Sequence, residues 1–151
     1  MSSGCCALRD SWASCSNSYA KAAEFRDPLQ GDGHILEVRD ARGCTPLHWA
    51  AKLGNVEVIK LLIAEGADVC ARDHSLTTPL HYAVVSPTCH RLKSTTALLV
   101  EPGAANPNVQ DANGQTPLHW LAGACHLSVH LGVIQVLMKH GAQVHMLDNN
   151  A

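Results

Sequence analysis

The chain has 151 residues, the size of one compact domain, and its 46% apolar content suits a packed core rather than general disorder. Eleven Lys+Arg against 13 Asp+Glu give a net charge of −2, which argues against a nucleic-acid binder that must neutralise phosphates. Aromatics at 4% leave few rings for base stacking, and no apolar run reaches the roughly 18 residues of a membrane span, so membrane insertion is not expected.

Residues 1–30 are rich in Ser, Cys and Ala, with at most a frayed helix around Ser18–Phe25, and Pro28 breaks the segment that would be the second helix of a first unit. The expectation is a disordered or irregular segment without a continuous apolar secretory core, and with Ser2 where a myristoylation signal requires glycine. Beyond it the chain repeats itself. Thr45-Pro46-Leu47-His48, Thr78-Pro79-Leu80-His81 and Thr116-Pro117-Leu118-His119 start 33 and then 38 residues apart. Gly66-Ala67, Gly103-Ala104 and Gly141-Ala142 recur in phase, as do Asp40, Asp73 and Asp111.

Each unit reads as helix, turn, helix, hairpin-like loop. Thr45 caps a first helix, Pro46 suits its first position, and His48 sits where a capping-box side chain reaches back to the cap. The helix stops near Gly54-Asn55. A second runs from Val56 to Glu65 with Val58, Ile59, Leu61 and Leu62 as its apolar stripe, and Gly66 ends it. One such unit cannot bury both faces, so units must stack.

These residues resemble the ankyrin repeat family, whose T-P-L-H-x-A signature and 33-residue period they carry most closely over Thr45–Asp73. The resemblance implies an all-α solenoid of stacked helix–turn–helix units over 31–147: a half unit 31–43, units 44–76, 77–114 and 115–147, then a tail 148–151. Both later units carry four extra residues between their helices, near Ser86–His90 and Gly123–Val129. Pro102 should distort the end of one helix, and Leu76 occupies the turn position of Gly43 and Gly114, a strained choice if φ is positive there. The last helix, expected over Leu131–His140, has no polar outer cap. Val133, Ile134, Val136 or Leu137 should therefore be exposed and promote self-association.

Catalytic chemistry finds little support. Cys44 precedes a helix start, which can activate a thiol, but no base or orienting group accompanies it and its counterparts are Thr77 and Gln115. Cys125, His126 and His130, with Cys89-His90, form the best metal grouping, but no second motif supports it. No phosphate-binding glycine motif is present. The expectation is no enzyme, no cofactor and no metal. Seven cysteines without a framework read as reduced thiols of a cytoplasmic or nuclear protein.

The resemblance implies a module that binds another protein through its loop tips and the concave side lined by first helices. The family's variable contact positions fall on Ala41, Arg42, Cys44, Lys52, Leu53, His74, Ser75, Thr77, Val85, Ala112, Asn113, Gln115 and Gly123. Their basic and amide character favours an acidic or polar partner face. Trp49, Tyr82 and Trp120 share one repeat position and read as an inter-unit aromatic stack. The alternative reading is a regulatory or targeting fragment of a larger enzyme or multi-domain ankyrin protein.

Overall fold

The computed structural model describes residues 36–87, 89–101, 105–124 and 127–147, with the side chains of 89 and 127–129 excluded. The irregular segment expected over 1–30, the start of the half unit, Pro102 and the tail 148–151 lie outside the described residues. Within them the chain forms six α-helices: α1 Pro46–Leu53, α2 Val56–Ala64, α3 Pro79–Val84, α4 Leu92–Val100, α5 Pro117–Gly123 and α6 Leu127–Lys139. First helices pack on first helices, α1 on α3 and α3 on α5. Second helices pack likewise, α2 on α4 and α4 on α6. This is a helical repeat stack.

Local chemistry sets the element boundaries. Every first helix starts with Thr-Pro and carries its histidine at the third position. The Thr45 N–H donates to His48 Nδ1 at 3.1 Å, and Thr78 and Thr116 repeat the bond to His81 and His119 at 3.2 Å. Left-handed Gly54 (φ 63°) closes α1, and the Asn55 N–H reaches back to the Ala50 carbonyl. Gly66 and Gly141, also left-handed, follow the second helices of units one and three in the same way.

The core runs between the two helix layers. Leu47, Ala50, Ala51, Ile59, Leu80, Ala83, Val84, Leu99, Val100, Leu121, Val133 and Leu137 are buried in it. In α2 the stripe is narrower than the sequence suggests: Ile59 is sealed, Val58 and Leu62 are half-buried, and Leu61 is exposed. The neighbouring second helix contacts only part of the apolar surface.

The two insertions are accommodated differently. In unit two they form a loop with a 3-10 turn at Cys89–Arg91, and α3 ends early at Val84 before Ser86-Pro87. In unit three the extra residues extend the second helix instead. α6 starts at Leu127, four residues ahead of the expected Leu131, because neither Gly nor Pro follows until Gly132. Val133, Val136 and Leu137, expected among the exposed positions, are buried against the stack. The apolar surface that opens on α6 belongs to Leu131 and Met138, with Ile134 half-buried.

Candidate functional site

The hairpin-like loops are built around three aspartates. Asp40 Oδ1 accepts the N–H groups of Arg42 (2.8 Å) and Cys44 (2.9 Å). Asp73 does the same for Ser75 and Thr77, and Asp111 for Asn113 and Gln115. Each second carboxylate oxygen accepts from the aromatic nine residues later: Trp49 Nε1 at 2.9 Å, Tyr82 OH at 2.9 Å and Trp120 Nε1 at 3.0 Å. Burial alone would raise the Asp40 and Asp73 carboxyls, but these bonds outweigh it and hold both below the usual carboxylate value. The aspartates are therefore scaffolding: each locks a tip to the first helix of its own unit.

Two further bond series join one unit to the next. The His74 N–H donates to the Arg42 carbonyl and the Ala112 N–H to the Ser75 carbonyl, both at 2.9 Å, so successive tips form a continuous edge. His48 Nε2 donates to the Thr77 carbonyl at 3.0 Å and His81 Nε2 to the Gln115 carbonyl at 3.1 Å. Because Nδ1 accepts from the cap, the ring proton sits on Nε2, where the next unit's carbonyl needs it. Burial pushes the pKa values of His48 and His81 below the ordinary imidazole value.

The shared aromatic position forms a ladder along the first helices. Tyr82 and Trp120 meet edge-to-face with centroids 5.9 Å apart, and His48 and His81 stand edge-on to Tyr82 and Trp120 at 5.9 and 5.5 Å. At its unit-one end Trp49 is flanked by cations. The Arg42 guanidinium lies 5.3 Å from its centroid and Lys52 Nζ 4.9 Å, with Lys52 also 5.5 Å from the Tyr82 ring. Arg42, Cys44, His48, Trp49, Lys52 and Tyr82 border one shallow recess.

The structure separates the candidate contact residues into two groups. Ala41, Arg42, His74, Ser75, Val85, Ala112, Asn113 and Gly123 are exposed, and Lys52, Leu53 and Gln115 are half-buried along the same strip. Cys44 and Thr77 are buried, 3% and 2% exposed, because the adjoining hairpin covers them. Cys44 also lacks the lowered pKa that activates a thiol. Burial, with Asp40 and Asp73 nearby, pushes its thiol up to about 11, and Sγ donates to Asp73 Oδ2 at 3.8 Å. Of the suggested metal grouping, Cys125 and His126 lie outside the described residues. Among the described residues no three His, Cys, Asp or Glu side chains converge.

The sequence reading did not identify the aspartate–aromatic tie. The nine-residue spacing, repeated three times, was the available signal. Arg39 was legible as a repeat position, matching Arg72 and Gln110, but without a role; its guanidinium bonds the Gly43 carbonyl (3.1 Å) and the Arg72 carbonyl (2.6 Å). Gln110 plays the same part on Gly114 and Leu147.

Comparison with known proteins agrees with this architecture. The ankyrin repeat profile matches residues 42–74, 76–112 and 113–149. Inversin from Mus musculus is 36% identical over 106 residues, 68% of this chain and 9% of inversin. Alpha-latrotoxin-Lt1a from Latrodectus tredecimguttatus is 38% identical over 102 residues, 67% of this chain and 6% of the toxin. Protein phosphatase 1 regulatory subunit 12A from Mus musculus is 54% identical over 62 residues, 39% of this chain and 6% of that subunit. The chain thus spans less than a tenth of the length of each of these relatives. With three consecutive matched units whose helices, caps and tips repeat in space, the chain belongs to the ankyrin repeat family.

Proposed function

We propose that the chain is a non-enzymatic protein–protein interaction module that contacts its partner through the hairpin tips and the flank of the first helices. The contact strip comprises Ala41, Arg42, Lys52, Leu53, His74, Ser75, Val85, Ala112, Asn113, Gln115 and Gly123. One observation carries this reading. The tip backbones are fixed by aspartate and inter-unit bonds, while most side chains of the strip are exposed and have no part in that bonding. Side chains on a rigid, pre-organised loop lose little freedom on binding, which is where recognition concentrates. The matched relatives are far longer than this chain, so a role as the targeting or regulatory piece of a larger assembly fits the same surface. Seven cysteines whose spacings form no framework, with Cys44 a free thiol, favour the cytoplasm or nucleus. Among the described residues no helix is long and apolar enough to cross a membrane, which favours a partner met in solution.

Changing Arg42, Lys52 and His74 together to Ser should lower recovery of the physiological partner in a quantitative pull-down at least tenfold, about 1.4 kcal/mol. The unfolding midpoint should move little, because Arg42 and His74 are exposed, where substitutions usually cost within about 0.5 kcal/mol each, and half-buried Lys52 gives up weak ring contacts. Undiminished recovery of the same proteins by this variant would remove the strip as the contact surface.

A second reading is favoured by the half-open outer face of unit three, where Leu118, Ala122, Ile134 and Met138 are accessible. Two copies joined there would cover it. Sedimentation at rising concentration tests this: a monomer throughout rules it out.

A further inference from the structure

The second helices of units one and two start differently. In α2 the Asn55 side chain caps the start by accepting the Val58 N–H at 3.4 Å, and Glu57 stands in the first turn. In α4 the cap residue is Arg91, whose side chain makes no cap bond, and the first turn holds no acidic residue. His90, Arg91 and Lys93 crowd this end instead, and Glu101 stands at the other. That order is the reverse of what the helix dipole favours, which is negative charge at the start and positive charge at the end. By register Ser94 takes the place of Glu57, just as Gly103 takes that of Gly66.

Ser94 is exposed, and so are Arg91 and Lys93. Arg91 lies three residues ahead of the serine and Lys93 directly ahead of it. Arginine at that distance is the charge pattern that basophilic protein kinases read, an acidic cleft of the kinase taking the guanidinium. Ser75 follows Arg72 at the same distance, but there the backbone is locked into the hairpin, with the Ser75 N–H held by Asp73 at 2.8 Å, and the Asp73 charge opposes an acidic cleft. Ser94 follows the 3-10 turn of the unit-two insertion and an uncapped helix start, so it is free of that lock. Leu92 and Thr95, both buried, are the residues that local opening around Ser94 lifts from the core.

We propose that Ser94 is a phosphorylation site for a kinase selective for arginine three residues ahead, and that the phosphate fastens the start of α4. In the transfer, Ser94 Oγ attacks the γ-phosphorus of ATP and the bond from that phosphorus to the β–γ bridging oxygen breaks. ADP leaves, and the hydroxyl proton passes to the kinase's catalytic aspartate. The phosphoserine carries about −1.5 to −2 charges near neutral pH. It stands at the positive end of the helix dipole, with Arg91 within i,i+3 reach, as Glu57 has Lys60 at 3.6 Å. Because α4 packs on both α2 and α6, fastening it strengthens the helix that both neighbours share. Ser94 is not part of the contact strip, so this inference holds or fails independently of the proposed interaction surface.

Incubating the whole folded chain with magnesium ATP and the catalytic subunit of cyclic-AMP-dependent protein kinase, an enzyme of this specificity, tests it. Mass spectrometry should place the phosphate on Ser94. Arg91→Ala, checked for an unchanged unfolding midpoint, should lower the initial rate at Ser94 at least tenfold. The phosphorylated chain should unfold at a higher urea concentration than the unmodified one. In about 1 M salt, where the Debye length is about 3 Å, that gap should narrow. Ser94→Glu should raise the midpoint by a smaller amount with no kinase present. No phosphate, phosphate only on other residues, or uptake at Ser94 that is as fast without Arg91 overturns the site. A phosphorylated chain no more stable than the unmodified one overturns the role given to the phosphate.

Discussion

Units one and two differ from unit three at the same register positions. Leu47 and Leu80, the leucines of the signature, are each 1% exposed, whereas Leu118 is only half-buried. Ala51 and Val84 are sealed; their counterpart Ala122 is exposed. In the second helices Ile59 and Thr96 are sealed and Ile134 is half-open, and Val100 is buried where Met138 is 45% exposed. His48 and His81 each donate to the next unit's carbonyl; among the described residues His119 has only its bonds to Thr116. Identical sequence signals thus have different energetic weight depending on whether a neighbour follows. In a stack most of the stability resides in the interfaces, and among the described residues unit three has one interface where unit two has two.

The leucines give the widest separation. Leu80→Ala should cost about 2–5 kcal/mol, through lost burial and the cavity left between α1, α3 and α5. Leu118→Ala removes the same atoms from a half-open site and should cost less than half as much. Chemical denaturation of both variants checks this. Equal losses would mean that the outer face of unit three is covered in solution.

The histidines come next. His81→Ala strands the Thr78 N–H and the Gln115 carbonyl in a partly buried setting and should cost about 1–3 kcal/mol. His119→Ala removes only the bonds to its own cap, Thr116, and no inter-unit bond among the described residues, so its cost should be clearly smaller. A chevron or equilibrium urea series distinguishes the two, and a reversed order would remove the inter-unit role assigned to Nε2.

The same rings make the stack sensitive to acid. Burial lowers the folded-state pKa values of His48 and His81 below the ordinary 6.5, so in mildly acidic solution the unfolded chain binds more protons than the folded one. Their contribution is complete above about pH 6.5, the unfolded value, and declines as pH falls toward the lower folded values. The urea midpoint should drop between pH 7.5 and 5.5, and His81→Gln should flatten that drop. A midpoint that rises on acidification would contradict the assigned neutral state.

The smallest effect is expected at the turn between Asp73 and Thr77. Leu76 is the one non-glycine residue with positive φ (58°) among those described, where Gly43 and Gly114 hold the same position at 79° and 76°. Leu76→Gly should raise stability by up to about 1 kcal/mol, because a side chain there crowds its own backbone. The reverse exchange is unfavourable: a Cβ added to Gly43 would stand 2.6 Å from His74 Cδ2.

What the sequence revealed depended on how local the physics was. Helix starts at Pro46, Pro79 and Pro117 and the ends at Gly54 and Gly66 were legible, because capping threonines, first-turn prolines and left-handed glycines act within a few residues. The register of Leu76 with two glycines marked it as a place where a positive φ would be strained, and its φ is 58°. Burial was less legible, since a neighbouring unit sets it. Cys44 and Thr77 have the composition of loop residues and are covered by the next hairpin, while Leu61 belongs to an apolar stripe and faces solvent. The insertion in unit three entered α6 because its residues contain no helix breaker, a choice that loop and helix compositions alone left open. Around the recess, Arg42, Cys44 and Lys52 were among the expected contact positions, whereas Trp49 and Tyr82 were expected as an inter-unit aromatic stack. The aspartate–aromatic tie and the clustering of Arg42 and Lys52 on Trp49 appeared only in three dimensions.

Hydrogen exchange resolved by helix tests the central contrast most directly. At a concentration where the chain sediments as a monomer, amides of α3 and α4, which have a unit on each side, should exchange only through the costliest openings. Those of α5 and α6 should exchange at least tenfold faster, an opening cheaper by about 1.4 kcal/mol or more. Uniform protection across all three units under those conditions would contradict the account, because the outer face of unit three would then be as firmly held as the two interfaces within the stack.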